Sequence, residues 1–212
     1  MNELLVLSTP LLAPAFSWAG SDISWLEIVA LLLALAMVVC NLRVNPIGWP
    51  LAIASSVLYG LLFLHSKLYG EAALQLVFIA LAAWGWWQWL CGTADGARLQ
   101  VRTLTPRQRW ATLAITLAAW PLLGATLARI TDSDVPYLDA LPTVGSLAGQ
   151  YLLGRKWVDN WPVWVAVNLV SVLLFAVKAL FLTALLYALF ALLALLGWRA
   201  WANMQSTAKP NA

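Results

Sequence analysis

A long apolar stretch of this chain occurs twice, and a repeated apolar unit constrains the fold more than any single motif does. In the later copy, Asn160-Trp161-Pro162-Val163-Trp164 opens a long apolar segment that carries Asn168 and Ser171, and Gly197-Trp198-Arg199-Ala200-Trp201 closes the unit. An earlier copy begins at Asn45, with Trp49 four residues on and Ser56 seven beyond that, the spacing of Asn160, Trp164 and Ser171. It closes on Gly85-Trp86-Trp87-Gln88-Trp89. In this register the copies stand 115 residues apart at their start and 112 at their end, which makes the second copy three residues shorter.

The repeated segments are too apolar for a water-soluble fold. Of 212 residues, 63% are hydrophobic and 10% charged, with a mean hydropathy of +0.82. A soluble domain carries about 25% charged residues. The apolar runs are roughly 18–22 residues long, the length of a helix crossing a bilayer, and lack the short alternation of a membrane barrel. The chain is therefore expected to be an all-α integral membrane protein.

Seven transmembrane helices are expected: Trp25–Val39, Ile47–Leu64, Gly70–Leu90, Trp110–Ile130, Tyr137–Leu153, Trp161–Val177 and Phe181–Trp201. They form a 3+1+3 arrangement. Residues 25–90 and 137–201 are two three-helix repeats, and 91–136 is a cytoplasmic loop with linker helix 4. A three-helix unit enters on one side of the membrane and leaves on the other, so one extra span makes the repeats parallel about a pseudo-two-fold axis. Such parallel repeats build transporters with a site at their interface. Residues 1–24 have no basic residue ahead of their apolar run, unlike a signal peptide, and read as an interfacial or disordered leader. Residues 202–212 form a C-terminal tail.

Basic residues set the orientation, because cytoplasmic loops retain an excess of Lys and Arg. Arg43, Arg98, Arg102, Arg107, Arg109, Arg155, Lys156, Arg199 and Lys209 collect on one face, against Lys67, Arg129 and Lys178 on the other. The N-terminus is thus expected outside and the C-terminus in the cytoplasm. Cys40 and Cys91 then lie toward the reducing side, unpaired.

Within the spans, polar residues fall on faces. At about 100° per residue, Asn45, Trp49, Ser56 and Tyr59 share one face of helix 2, and Trp161, Trp164, Asn168 and Ser171 a comparable face of helix 6. Thr143, Ser146 and Gln150 share a face of helix 5, and Glu71, Gln75 and Phe78 one of helix 3. An amide turned to lipid loses its water partners without replacement, so these faces should turn inward. They offer amides, hydroxyls and indoles, with little charge, to a small-molecule substrate. Plainer readings stand beside this one. Trp84, Trp86, Trp87, Trp89, Trp198 and Trp201 read as an interfacial aromatic belt. For Trp161, belt and site are equal readings. Ser56, Ser146 and Ser171 also suit close helix packing. Lys178 reads as snorkelling to headgroups, Glu71 as a gate or an interfacial acid, and His65 as a loop residue.

No glycine-rich phosphate loop, metal-like Cys/His spacing or deep carboxylate pair is present, so nucleotide hydrolysis, a metal centre and ion coupling are not implied. A passive carrier is the reading that remains. An enzyme would need a nucleophile or acid–base set, for which only scattered hydroxyls are available. A substrate-binding subunit of an energy-coupled transporter stays open.

The run Gln150-Tyr151-Leu152-Leu153, Lys156, Asn160-Trp161-Pro162-Val163-Trp164 and Asn168, followed by Leu182-Thr183-Ala184-Leu185-Leu186-Tyr187, resembles the PnuC family of bacterial vitamin transporters. The resemblance covers about Trp25 to Trp201 and is strongest over the second repeat. It implies a SWEET-like fold, assembly as a homotrimer in the bacterial inner membrane, and no cofactor. It also implies facilitated diffusion of an unphosphorylated B-vitamin, nicotinamide riboside before thiamine or riboflavin, trapped afterwards by a cytosolic kinase. The family's substrate face corresponds to Gln150, Trp161, Trp164 and Asn168. Nicotinamide riboside suits these groups: indoles attract its delocalised cation, and Gln and Asn match its amide and ribose hydroxyls.

Overall fold

The computed structural model describes residues 13–18, 21–65, 69–92, 99–131, 135–177 and 181–207. Lys67, Asp95, Arg98, Asp132, Asp134, Lys178 and Lys209, which entered the reading of charge and loops, lie outside them, as does the leader up to residue 12. The chain divides into two compact units, 1–90 and 91–212.

In the first unit, β1 (Pro14–Trp18) and β2 (Ser21–Ser24) form an antiparallel hairpin in the segment expected as a leader. Ser24 ends the hairpin and starts α1 (Trp25–Leu42). Its hydroxyl accepts from Glu27 N, while the Glu27 carboxylate accepts from Ser24 N at 2.7 Å, a reciprocal cap on two otherwise unpaired donors. α2 (Gly48–His65) and α3 (Tyr69–Cys91) complete the unit, and His65 is the last helical residue rather than part of a loop.

The second unit holds α4 (Pro106–Ile130), α5 (Pro136–Gly154), α6 (Asn160–Val177) and α7 (Phe181–Thr207). α4 starts four residues earlier than its apolar run, because Thr105 and Gln108 build a second capping box and Pro106 is preset for the first turn. α7 likewise runs six residues past Trp201, in a polar stretch with no helix breaker.

All seven expected helices are present, and six are long and apolar enough to cross a membrane. The exception is α5, whose nineteen residues include Asp139, Pro142, Thr143, Ser146 and Gln150. It is also lined with buried positions, including Ala140, Val144, Gly149, Gln150 and Leu153. A helix enclosed by its neighbours needs no apolar exterior. α4 is the opposite case, with Trp110, Ile115, Leu122 and Ile130 all about 70% exposed.

The structure corrects the register of the repeat. Trp49-Pro50 and Trp161-Pro162 each stand in the first turn of a helix, 112 residues apart. The same spacing relates Gly85 to Gly197, Trp89 to Trp201 and Arg43 to Arg155. It also relates Val44 and Lys156, non-glycine residues with φ of 53° and 54° at the turns before α2 and α6. The two copies are therefore equal in length over this span. Asn45, Trp49 and Ser56 do not correspond to Asn160, Trp164 and Ser171. Asn45 lies outside α2, in the turn, where its Oδ1 accepts from Ile47 N at 3.0 Å.

Candidate functional site

Each unit seats one tryptophan on a glycine. In the first unit the Trp49 ring lies against Gly85, where any Cβ would overlap it, and meets Trp89 edge-on with ring centroids 5.4 Å apart. In the second, Trp161 lies against Gly197 and meets Trp201 at 5.5 Å and 85°. All four indoles are buried, so Trp89 and Trp201 belong to the packing of the units and not to an aromatic belt. Sequence position put them near helix ends, but α7 continues past Trp201. The Nε1 atoms of Trp49 and Trp161 are buried without a hydrogen-bond partner. Trp84 is half-buried, while Trp86, Trp87 and Trp198 are exposed, as a belt requires.

In the second unit, α6 packs on both α5 and α7, and its two first-half tryptophans take different neighbours. Trp161 turns to α7, whereas Trp164 lies over Gly149 of α5, with Nε1 3.2 Å from where a Cβ would stand. Trp161 and Trp164 therefore do not present one common face. Trp164 stays half-buried and lies beside the α5 turn that carries Gln150. Gln150, Asn168 and Ser171 are buried, at 9%, 6% and 3% exposure. Among the described residues the side chains of Gln150 and Asn168 have no hydrogen-bond partner, although each amide both donates and accepts. Thr143 is spent locally on the Asp139 carbonyl at 3.1 Å, and Ser146 is half-buried on the same helix.

In the first unit, Ser56 and Gln75 meet in a groove between α2 and α3 of about 370 Å³, otherwise lined by Gly60, Leu61, Ala72, Leu76 and their neighbours. Tyr59 is not among its lining residues and stacks on Phe63. Ser55, which the sequence reading passed over, is buried and donates to the Ala30 carbonyl at 3.0 Å.

A second feature escaped the sequence reading: residues 99–105 dock on the α5–α6 turn. Arg102 N donates to Lys156 O at 3.1 Å and Val158 N to Arg102 O at 2.8 Å, forming a short parallel bridge. Lys156 Nζ donates to the Leu99 carbonyl. Asp159 accepts from Leu104 N at 2.7 Å and from Arg109 Nε at 2.6 Å. The guanidiniums of Arg102 and Arg155 lie 5.5 and 5.7 Å from the centre of the Trp157 ring. The signal was Arg155-Lys156-Trp157-Val158-Asp159, whose lone acid suits the basic run before α4.

Among the described residues no group of His, Cys, Asp and Glu is arranged to hold a metal.

The profile of a family described as nicotinamide mononucleotide transporter matches residues 24–203. The nicotinamide riboside transporter PnuC of Escherichia coli (strain K12) is 25% identical over 209 residues, covering 87% of each chain. The riboflavin/roseoflavin transporter RibM of Streptomyces davaonensis is 32% identical over 195 residues, covering 88% of this chain and 89% of its own. A crystal structure of the vitamin B3 transporter PnuC superposes with a TM-score of 0.70 at 22% identity, covering 87% of this chain and 83% of that one. That likeness extends the helical fold over most of the chain.

Proposed function

Because this chain belongs to the nicotinamide mononucleotide transporter family, we propose that it carries nicotinamide riboside across the bacterial inner membrane by facilitated diffusion, a cytosolic kinase then trapping the product. It is a multi-pass membrane transporter and not an enzyme.

The observation that carries the choice of substrate is the uncharged polar surface of α5 and α6. Gln150 and Asn168 are buried amides with open hydrogen-bonding capacity, and Trp164 lies over the α5 turn beside Gln150. α6 contains no charged residue, and α5 only Asp139 in its first turn. A nucleotide phosphate calls for arginine or lysine, and these helices offer neither within their spans. The unphosphorylated riboside is the better fit, its pyridinium stacking on an indole and its amide and hydroxyls on Gln150 and Asn168. Trp161, Thr143, Ser146, Asn45, Trp49, Ser56, Tyr59 and Gln75 stay in the proposed site only as supporting positions. A riboflavin carrier is the second reading, favoured by the 32% identity to RibM.

The proposal includes a 3+1+3 arrangement with α5 as a seventh span, which the constant 112-residue spacing of the repeat supports. It also includes an external N-terminus, a cytoplasmic C-terminus and a homotrimer, the last to be tested by mass determination in detergent.

Titrating the purified chain with nicotinamide riboside, its mononucleotide, thiamine and riboflavin tests the substrate. The riboside should bind tightest and the mononucleotide at least about tenfold more weakly, a difference of about 1.4 kcal/mol. Tightest binding of riboflavin would establish the second reading, and tightest binding of the mononucleotide would overturn both.

A further inference from the structure

The docked segment and its surroundings concentrate positive charge that transport does not use. Arg102, Arg107, Arg109, Arg155, Lys156 and Arg199 belong to this end of the second unit, where Asp159 is the one carboxylate among the described residues. Asp159 is already held by Arg109 and by Leu104 N. The other described acid of the unit, Asp139, lies in the first turn of α5, at the far end of that helix. Of these cations Arg102, Arg107 and Arg199 are exposed, and none of the three pairs with a carboxylate among the described residues.

Two further observations point to what balances them. The first is geometric. The Arg102 backbone is fixed on both sides of its peptide by the bridge to Lys156 and Val158, and its guanidinium lies 5.5 Å from the Trp157 ring centre. Stacking engages the face of a guanidinium and leaves its N–H edge free to bind phosphate oxygens in pairs. The second is the company the arginines keep. Trp110 follows Arg109 and is 72% exposed, and Trp198 precedes Arg199 and is 42% exposed. Exposed indoles beside apolar helices settle at the headgroup level of a bilayer. Arginines next to them in sequence then stand at the level of the lipid phosphates. Gln205 Nε2 donates to Thr103 Oγ1 at 3.2 Å, which ties the end of α7 to the segment carrying Arg102.

We propose that Arg102, Arg107 and Arg199, flanked by Trp110 and Trp198, form a binding surface for the headgroups of anionic phospholipids. The dock holds Arg102 in place for this purpose, and basic clusters of this kind at the membrane surface are suited to lipid phosphate. The surface is separate from the uncharged faces of α5 and α6 and does not depend on which vitamin is carried.

Native mass spectrometry of the full chain in detergent, offered phosphatidylglycerol and phosphatidylcholine with identical acyl chains, tests this directly. The parent should retain phosphatidylglycerol preferentially, and added salt should erode the preference by screening. The Arg102→Gln, Arg107→Gln, Arg199→Gln triple variant should lower phosphatidylglycerol retention at least about tenfold, since each basic side chain near an anionic surface contributes about fivefold. Arg129→Gln, in the last turn of α4, should leave the preference intact. Equal retention of the two lipids by the parent overturns the proposal whatever the variant does. So does a folded triple variant that keeps the parent's preference, or an Arg129→Gln variant that loses it equally. Displacement of phosphatidylglycerol by millimolar inorganic phosphate would assign the surface to a soluble anion and overturn it as well.

Discussion

Trp161 stands edge-on to Trp201, with ring centroids 5.5 Å apart at 85°, as Trp49 stands to Trp89 at 5.4 Å and 88° in the other unit. In both, the inner tryptophan follows a turn with a left-handed residue, begins a helix with proline behind it, and rests on a glycine one turn before its partner. This Trp–Gly–Trp seat locks α2 to α3 and α6 to α7.

Filling the seat should destabilise the protein. A Cβ at residue 197 overlaps the rigid Trp161 ring, so Gly197→Ala is expected to cost about 1–3 kcal/mol, the range for overpacking a well-filled core. At Gly60 the nearest side-chain atom, Gln75 Cβ, would be 3.6 Å away, an ordinary contact. Gly60→Ala should be neutral, or stabilising by up to about 1 kcal/mol through helix propensity. Thermal unfolding in detergent compares the two, and equal midpoints would mean that the seat is slack.

Much of the fold was legible because hydropathy and turn residues mark spans directly. The repeat was legible too, but its register was not. Aligning Asn45 with Asn160 matched residue types across a turn, whereas Trp49-Pro50 and Trp161-Pro162 match the helix start. The wrong register made the tryptophan of Trp49 equivalent to Trp164 and hid the seat. Trp89 and Trp201 looked interfacial because burial within a unit leaves no trace in composition. Helical periodicity grouped Trp161 with Trp164 and Asn168, whereas the two indoles lie against different helices. A separation of about 60° around a helix is enough to send two side chains to different neighbours. The docked segment was illegible because its main contacts are backbone bonds between residues some fifty positions apart, which no local pattern announces.

Asp159 should control that docked segment. Its side chain is 12% exposed and pairs with Arg109, itself 56% exposed, so the ion pair contributes little after screening. The bond from Leu104 N matters more, because Leu104 is buried and its donor would lose a partner. Asp159→Ala is therefore expected to cost about 1–3 kcal/mol locally, and Asp159→Asn distinctly less. Amide hydrogen exchange across residues 99–105 should accelerate strongly in the first variant and weakly in the second. Unchanged exchange in both would mean that the Arg102 bridge suffices alone.

The basic surface also sets the expected orientation. A cysteine placed at Gln100, an exposed position, in a background lacking Cys40 and Cys91, should react with an impermeant maleimide only after the cells are permeabilised. Labelling in intact cells would invert the sidedness.

Transport should be passive. No charged residue lies in α6, and α5 has Asp139 alone, in its first turn, so these helices offer no paired carboxylates for proton or sodium coupling. Uptake of nicotinamide riboside into proteoliposomes is expected to stop at equal concentrations on the two sides, and imposed proton or sodium gradients should not move that end point. Accumulation above the outside concentration, in the absence of an internal kinase, would rule out facilitated diffusion.

The proposed substrate site makes the sharpest distinction among the tryptophans. Trp164 is half-buried over Gly149 of α5, Trp161 is sealed in the seat, and Trp198 is exposed. If the indole of Trp164 stacks on the vitamin ring, Trp164→Ala should weaken nicotinamide riboside binding by about 1–2 kcal/mol, roughly tenfold. Trp198→Ala should leave affinity unchanged. Asn168→Leu should cost a similar 1–2 kcal/mol or so, because a bound hydroxyl or amide would be left without its partner in a dry site. Trp161→Phe keeps an aromatic ring against Gly197 but is smaller, so it should lower the unfolding midpoint while affinity in the folded protein changes little. Isothermal titration, with the unfolding midpoint of each variant measured in parallel, separates loss of contact from loss of fold. Folded Trp164→Ala and Asn168→Leu variants that bind like the parent would move the site away from the α5–α6 surface.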